Sequence, residues 1–263
     1  MIHVGVNPVA LTVGGLSVRW YGVAVTAAIV AIILWIRHFW GKEGVSSDFV
    51  AGVAVVAVPC GLLASKLLHV IDKLSYYTSH PGEILNPAGL TIFGAILGGI
   101  LGMWLYCCLK GVPAAPLLDL AAPGVILGQA IGRIGCTING CCYGKPTTLP
   151  WGFVYTHANS YAPLGLAIHP TQVYELLWDL LVFVLLFFVL RGRLKPEGSL
   201  IAAYLALYSL GTFGIRFLRG DVTPFVLGLQ EAQLVSLVIL LAMLPFLLAK
   251  ARWVSKNEQA NSN

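Results

Sequence analysis

The chain has 263 residues, of which 58% are hydrophobic and 10% charged, against roughly a quarter charged in a soluble globular domain. Such a composition excludes a water-soluble fold, and at about 20 apolar residues per crossing the length holds roughly six to eight membrane spans and little besides. The net charge of +5 comes with no basic run and no basic patch interleaved with aromatics, which excludes a nucleic-acid partner and leaves membrane topology as its explanation.

Taken in chain order, apolar stretches at residues 20–36, 48–70, 90–108, 117–131, 173–190, 199–215 and 230–249 read as spans. The first follows Arg19 and precedes Arg37 and Lys42, without the basic start and small-residue cleavage site of a signal peptide, so it is expected to be a retained helix. The third carries Gly94, Gly98 and Gly102, a four-residue spacing that sets three glycines on one face for close helix packing. The fold class is therefore all-α, a polytopic helical bundle of about seven spans forming a single domain over 1–263. An outer loop segment is expected near 132–170 and a short disordered tail at 255–263. With the N-terminus outside and the C-terminus cytoplasmic, the inner side holds Arg37, Lys42, Lys110, Arg191, Arg193, Lys195, Lys250, Arg252 and Lys256. The outer segments then hold Arg19, Lys73, Arg133, Lys145, Arg216 and Arg219, with Lys66 inside a span. This orientation satisfies the positive-inside bias.

The outer cations draw attention first. Arg133 lies at the end of the fourth span in a glycine-rich run, Gly132-Arg133-Ile134-Gly135-Cys136-Thr137-Ile138-Asn139-Gly140-Cys141-Cys142-Tyr143-Gly144. A guanidinium there needs a wet cavity or an anion, and a lipid phosphate would satisfy it. The glycines let backbone N–H groups approach the same anion. A snorkelling arginine on a glycine-rich turn is the plainer alternative.

Cys136, Cys141 and Cys142 crowd this segment, whereas Cys60, Cys107 and Cys108 lie in or beside spans and read as small packed hydrophobes. For the three clustered cysteines several readings stay open. They are buried thiols, a disulfide from Cys136 to Cys141 or Cys142, a reactive thiolate activated by the neighbouring cation, or metal ligands with His157 or His169. Their spacing is not a standard zinc pattern, and no metal is expected. His169 precedes a proline at the entry to the fifth span, where a helix N-terminus favours an anion or a neutral imidazole. Glu175 and Asp179 share one helical face near the outer end, as functional carboxylates or as structural partners of Arg133 or Arg219. Trp20, Tyr21, Trp151 and Tyr174 fit an interfacial aromatic belt.

The run around Arg133 is similar to the glycine-arginine-x-glycine-asparagine-phenylalanine-x-asparagine-glycine-glutamate signature of bacterial prolipoprotein diacylglyceryl transferases. The likeness extends through Ser17-Val18-Arg19-Trp20-Tyr21-Gly22, His169-Pro170-Thr171-Gln172-Val173-Tyr174-Glu175, Arg191-Gly192-Arg193, Phe217-Leu218-Arg219-Gly220-Asp221 and Gln233. The resemblance implies transfer of the diacylglyceryl group of phosphatidylglycerol to the lipobox cysteine of a preprolipoprotein. A thioether forms and glycerol-1-phosphate leaves. It further implies a monomer in the bacterial inner membrane, a cavity towards the outer leaflet, and no metal or organic cofactor.

The matching site positions are Tyr21, Arg133, Asn139, Gly144, His169 and Arg219. Arg133, Arg219, Tyr21 and His169 are expected to be catalytic, and Asn139, Gly144, Arg216, Cys136 and Cys141 to bind substrate. The chain departs from the pattern where Phe93 replaces a histidine, Cys136 an asparagine, Cys141 a glutamate, Thr212 an arginine and Arg216 a glutamate. Those departures keep open a different acceptor for the same lipid, or a non-catalytic lipid-binding or thiol-redox role.

Overall fold

A computed structural model describes residues 1–14, 16–85, 91–222, 224 and 226–254. The expected tail at 255–263, Lys256 among it, and the first predicted residue of the third span lie outside the described residues. In chain order the elements begin with β1 (Ile2–Val4), β2 (Val9–Val13) and β3 (Leu16–Arg19), then α1 (Trp20–Lys42), α2 (Ser47–Asp72), the short α3 (Leu74–Ser79), α4 (Ile92–Lys110) and α5 (Ala114–Asn139). They continue as β4 (Phe153–Tyr155), β5 (Ala167–Ile168), α6 (Thr171–Val184) running into a π-helical turn (Leu185–Leu190), β6 (Leu194–Lys195), α7 (Ser199–Ile215), a 3₁₀ turn (Arg216–Leu218), α8 (Glu231–Lys250) and β7 (Arg252–Trp253). Seven of these helical segments are long and apolar enough to cross a membrane, matching the seven predicted spans. The chain is a multi-pass membrane protein.

The helices divide between two compact units, Ile36–Leu120 and the remainder, Met1–Trp35 with Ala121–Asn263. In the first unit the glycine stripe acts as packing. A Cβ on Gly94 would fall 2.5 Å from Ser65 Cα, and one on Gly98 would fall 2.5 Å from both the Ala64 Cβ and the Cys60 carbonyl. Small residues there let the α2 and α4 backbones meet, and van der Waals contact between backbones holds helices together where no hydrophobic effect operates. Trp40 closes this unit, fully buried, with Nε1 donating to the Leu117 carbonyl at 3.2 Å.

Most of α5 lies in the larger unit, and its bounds correct the sequence reading. The fourth span was expected at 117–131 with a loop from 132, yet the helix continues to Asn139. Glycines 132 and 135 look like turn formers in sequence. Gly135 instead marks a helix crossing, where an added Cβ would lie 2.6 Å from Ala24 Cβ and 3.1 Å from Tyr21 Cα of α1. Arg133 interrupts the apolar run without ending the helix, because a buried carboxylate meets it. Arg133, Cys136 and Asn139 are thus fixed on a helix rather than carried by a loop. The segment that follows is pinned by a small sheet, β1 parallel to β4 and β4 antiparallel to β5, packed around Tyr155, Ala162 and Ile168.

Candidate active site

The site grows from two helix faces. On α5, Gln129, Arg133, Cys136 and Asn139 are buried at steps of four, three and three residues, one face of a helix. On α6, Thr171, Gln172, Glu175, Asp179 and Val182 are buried by the same periodicity. Polar and charged groups inside a spanning bundle are costly unless they meet each other. Here Arg133 Nη1 lies 2.7 Å from Glu175 Oε2.

Arg219 reaches the same carboxylate from the other end of the sequence, with Nη1 3.6 Å from Glu175 Oε1. Its Nε and Nη2 donate to the two Asp221 oxygens at 2.6 and 2.8 Å, a bidentate pair. Burial opposes the charge on Arg219, but Cys142, Asp221 and Glu175 outweigh it and hold the guanidinium firmly protonated. Arg219 Nη1 and Arg216 Nε are buried without a hydrogen-bond acceptor among the described residues.

Backbone pairing places Arg219. Residues 143–145 run between the segment ending at His169 and the turn after α7. Gly144 N–H donates to His169 O at 3.0 Å, Lys145 N–H to Leu218 O at 2.8 Å, and Gly220 N–H to Tyr143 O at 3.0 Å. Gly144 is the narrow point. An added Cβ would fall 2.5 Å from His169 Cβ, 2.6 Å from His169 O and 3.0 Å from Leu218 O.

The expected site residues do not all converge. Cys136, Cys141 and Cys142 bring their sulfurs within 4.8 Å of one another, all as free thiols rather than in the disulfide left open by the sequence. Tyr21 sits where α1 crosses Gly135, in the electrostatic reach of Arg133 and the three thiols. Asn139 faces Arg19, whose Nη1 donates to Asn139 Oδ1 at 2.8 Å while its guanidinium covers the Tyr161 ring at 4.1 Å. The His169 imidazole turns to Tyr174, with Nδ1 3.4 Å from that hydroxyl, which also accepts from Trp151 Nε1 at 2.9 Å. It joins the arginines through backbone. Regular helix stops at Ile215, and Arg216 lies within electrostatic reach of Arg219, Glu175 and Arg133 while its Nη1 donates to Gln230 Oε1 at 3.5 Å. Phe93 is buried in the first turn of α4, in the smaller unit.

The sequence pattern of the prolipoprotein diacylglyceryl transferase family matches residues 8–249. The chain belongs to the prolipoprotein diacylglyceryl transferase family. A phosphatidylglycerol–prolipoprotein diacylglyceryl transferase of Dehalococcoides mccartyi is 41% identical over 266 residues, covering 100% of both chains. Proteins of the same name from Clostridium tetani and Corynebacterium efficiens are 37% and 38% identical, covering 88% and 91% of this chain and 92% and 80% of their own.

In this family member, four further groups join the residues expected to act on substrate: Glu175, which pairs with both arginines as the sequence had left open, and Cys142, Asp221 and Arg19. Glu175 carried a signal, as an acid inside a predicted span. Asp221 and Arg19 stood within motifs already singled out. Cys142 had only its neighbours to recommend it, since the backbone that turns it inward is invisible in sequence. Gly140 and Cys142 both adopt left-handed conformations, φ 73° and 63°. Two side chains of α6 hold that turn, Thr171 Oγ1 donating to Cys142 O at 2.6 Å and Gln172 Nε2 to Cys141 O at 2.8 Å. Hydrogen bonds from Cys136 and Cys141, then Arg219 and Arg133, hold the Cys142 thiol well below the usual range despite burial. For Cys141 the hydrogen bond with Cys136 acts downward, but that with Cys142 and burial win and push the thiol up to about 11.

Proposed function

We propose that this protein moves the diacylglyceryl group of phosphatidylglycerol to the lipobox cysteine of a preprolipoprotein. It works as a monomer in the bacterial inner membrane, with its N-terminus outside and its site towards the outer leaflet. In the reaction the bond between the glyceryl carbon and a phosphate oxygen breaks, a carbon–sulfur bond forms, and the thiol proton passes to a base or to the departing phosphate. The products are a thioether and glycerol-1-phosphate.

The observation that carries the reading is the meeting of Arg133 and Arg219 at Glu175. As the ester bond breaks, negative charge grows on the phosphate. Fixed cations that need no reorganisation stabilise that later, more charged state above the bound lipid, and this difference is what accelerates a reaction. Guanidiniums suit the task because their planar forks match phosphate oxygens. We assign Tyr21, within electrostatic reach of Cys136 and Arg133, to the reacting end of the lipid, and Gly144 to holding the Arg219 segment. The names of the full-length relatives support the same donor and acceptor.

Incubation of the purified protein with phosphatidylglycerol and a lipobox peptide tests the proposal. The expected outcome is a thioether-linked peptide by mass spectrometry and release of glycerol-1-phosphate. No product, under conditions where a relative is active, removes it.

A further inference from the structure

The sequence offered the three clustered cysteines no standard zinc spacing, but the fold supplies the convergence that the spacing lacks. We infer that Cys136, Cys141 and Cys142 bind one thiophilic divalent metal ion of the zinc class as a three-thiolate centre. The inference rests on the geometry of the sulfurs and not on the transfer chemistry above. Their three sulfurs all lie within 4.8 Å of one another. Zinc–thiolate bonds of about 2.3 Å set three sulfurs roughly 3.8–4.0 Å apart around a shared ion. The cluster therefore closes on a metal by inward movements below about 1 Å, within the reach of side-chain rotation.

The backbone is organised for that convergence. α5 ends at Asn139, and left-handed residues at 140 and 142 fold the following segment back so that Cys141 and Cys142 meet Cys136 on the last helical turn. A left-handed cysteine is a conformation that proteins keep only where the surroundings enforce it. Here Thr171 and Gln172 enforce it through the carbonyls of Cys142 and Cys141. Metal binding needs no oxidant. The thiols that still carry a proton lose it to solvent, three sulfur–metal bonds form, and the product of a divalent ion with three thiolates carries one net negative charge. Arg133 and Arg219 sit within electrostatic reach to compensate it. Neither histidine that the sequence left open as a further ligand belongs to the cluster: His157 Nδ1 accepts from Asn159 N–H at 3.2 Å, and His169 faces Tyr174. The fourth position would thus fall to water or a small exogenous ligand, the arrangement of an open rather than a closed zinc site.

The test uses the full chain in detergent, reduced, stripped with a chelator and titrated with cadmium and with zinc. The expected result is one ion per chain, with the ultraviolet charge-transfer absorption of three cadmium–thiolate bonds and three sulfur neighbours by X-ray absorption. Cys142→Ser and Cys141→Ser should each weaken binding roughly tenfold or more, while Cys60→Ser and Cys108→Ser leave it unchanged. Absence of stoichiometric binding in wild-type protein with all thiols reduced overturns the inference. So do fewer than three sulfur neighbours around the bound ion, a reading that stands even if the serine variants fail to fold. Undiminished affinity in a folded Cys142→Ser variant overturns it equally.

Discussion

Gly144→Ala gives the sharpest separation between the positioning of Arg219 and its chemistry. The methyl group would arrive 2.5 Å from His169 Cβ and 2.6 Å from His169 O on one side, and 3.0 Å from Leu218 O on the other. Carbon–carbon contacts settle near 3.5–4.0 Å, so the ladder must open by about 1 Å, and two of the opposing atoms are backbone oxygens that cannot rotate away. Overpacking of this kind costs about 1–3 kcal/mol. Because Gly144 pairs directly with Arg219 across the ladder, most of the displacement reaches the guanidinium, and a misplacement near 1 Å lowers a rate by roughly 100-fold. Arg133 and Glu175 stand on helices and stay paired. Transfer of labelled diacylglycerol from phosphatidylglycerol to a lipobox peptide, read beside thermal unfolding in detergent, should show a rate reduced by about 10- to 100-fold and a lowered melting temperature. Gly132→Ala is the control, since an added Cβ there meets nothing within 4 Å; it should keep the rate. A Gly144→Ala protein with native rate and native melting would refute the claim that this ladder holds Arg219 in place.

Arg133→Ala should reduce transfer by roughly 100- to 1000-fold, the scale for losing one fixed donor to developing charge, and Arg133→Lys should recover little, as an ammonium lacks the planar fork; single-turnover kinetics decide both. Glu175→Ala leaves Arg133 buried without its carboxylate, so a loss of about 3–5 kcal/mol is expected, measured as a fall in folded yield and melting temperature that exceeds the one for Asp221→Ala, where Arg219 retains Glu175. In the smaller unit, Gly98→Ala drives a methyl into Cys60 O and Ala64 Cβ at 2.5 Å; thermal unfolding should show a loss of about 1–3 kcal/mol. Asn139→Ala removes the acceptor of a 2.8 Å bond from Arg19, and protease sensitivity of the segment before α1 should rise while the Arg133 environment stays native.

Much of this protein was legible because the bilayer constrains sequence so strongly. Seven apolar runs gave seven spans, and the glycines of α4 gave a packing face, since length and spacing alone carry that information. The extent of α5 was not legible. A glycine-arginine-glycine run looks like a turn until its partners are known, and both partners, Tyr21 of α1 and Glu175 of α6, are distant in sequence. The same limit governed the candidate site. Residue type picked out Arg133 and Arg219, and the acid inside a span pointed to Glu175. Nothing local told that Asn139 would be taken by Arg19, that the His169 ring would turn to Tyr174, or that Arg216 would meet Gln230 where the helix tightens into a 3₁₀ turn. Side-chain direction at helix ends is decided by tertiary neighbours, which periodicity does not report.

The widened turn at Leu185–Leu190 has a consequence for how α6 tolerates change. Thr171, Gln172 and Glu175 lock the N-terminal end of this helix to the cysteine turn and the arginines, so its rotational phase is set there. A π-helical stretch accommodates an additional residue by loosening its own winding. Length changes at the C-terminal end can therefore be absorbed at 185–190 without turning the Glu175 face away, whereas the same change placed between Gln172 and Glu175 would rotate Glu175 and Asp179 out of alignment with Thr171 and Gln172.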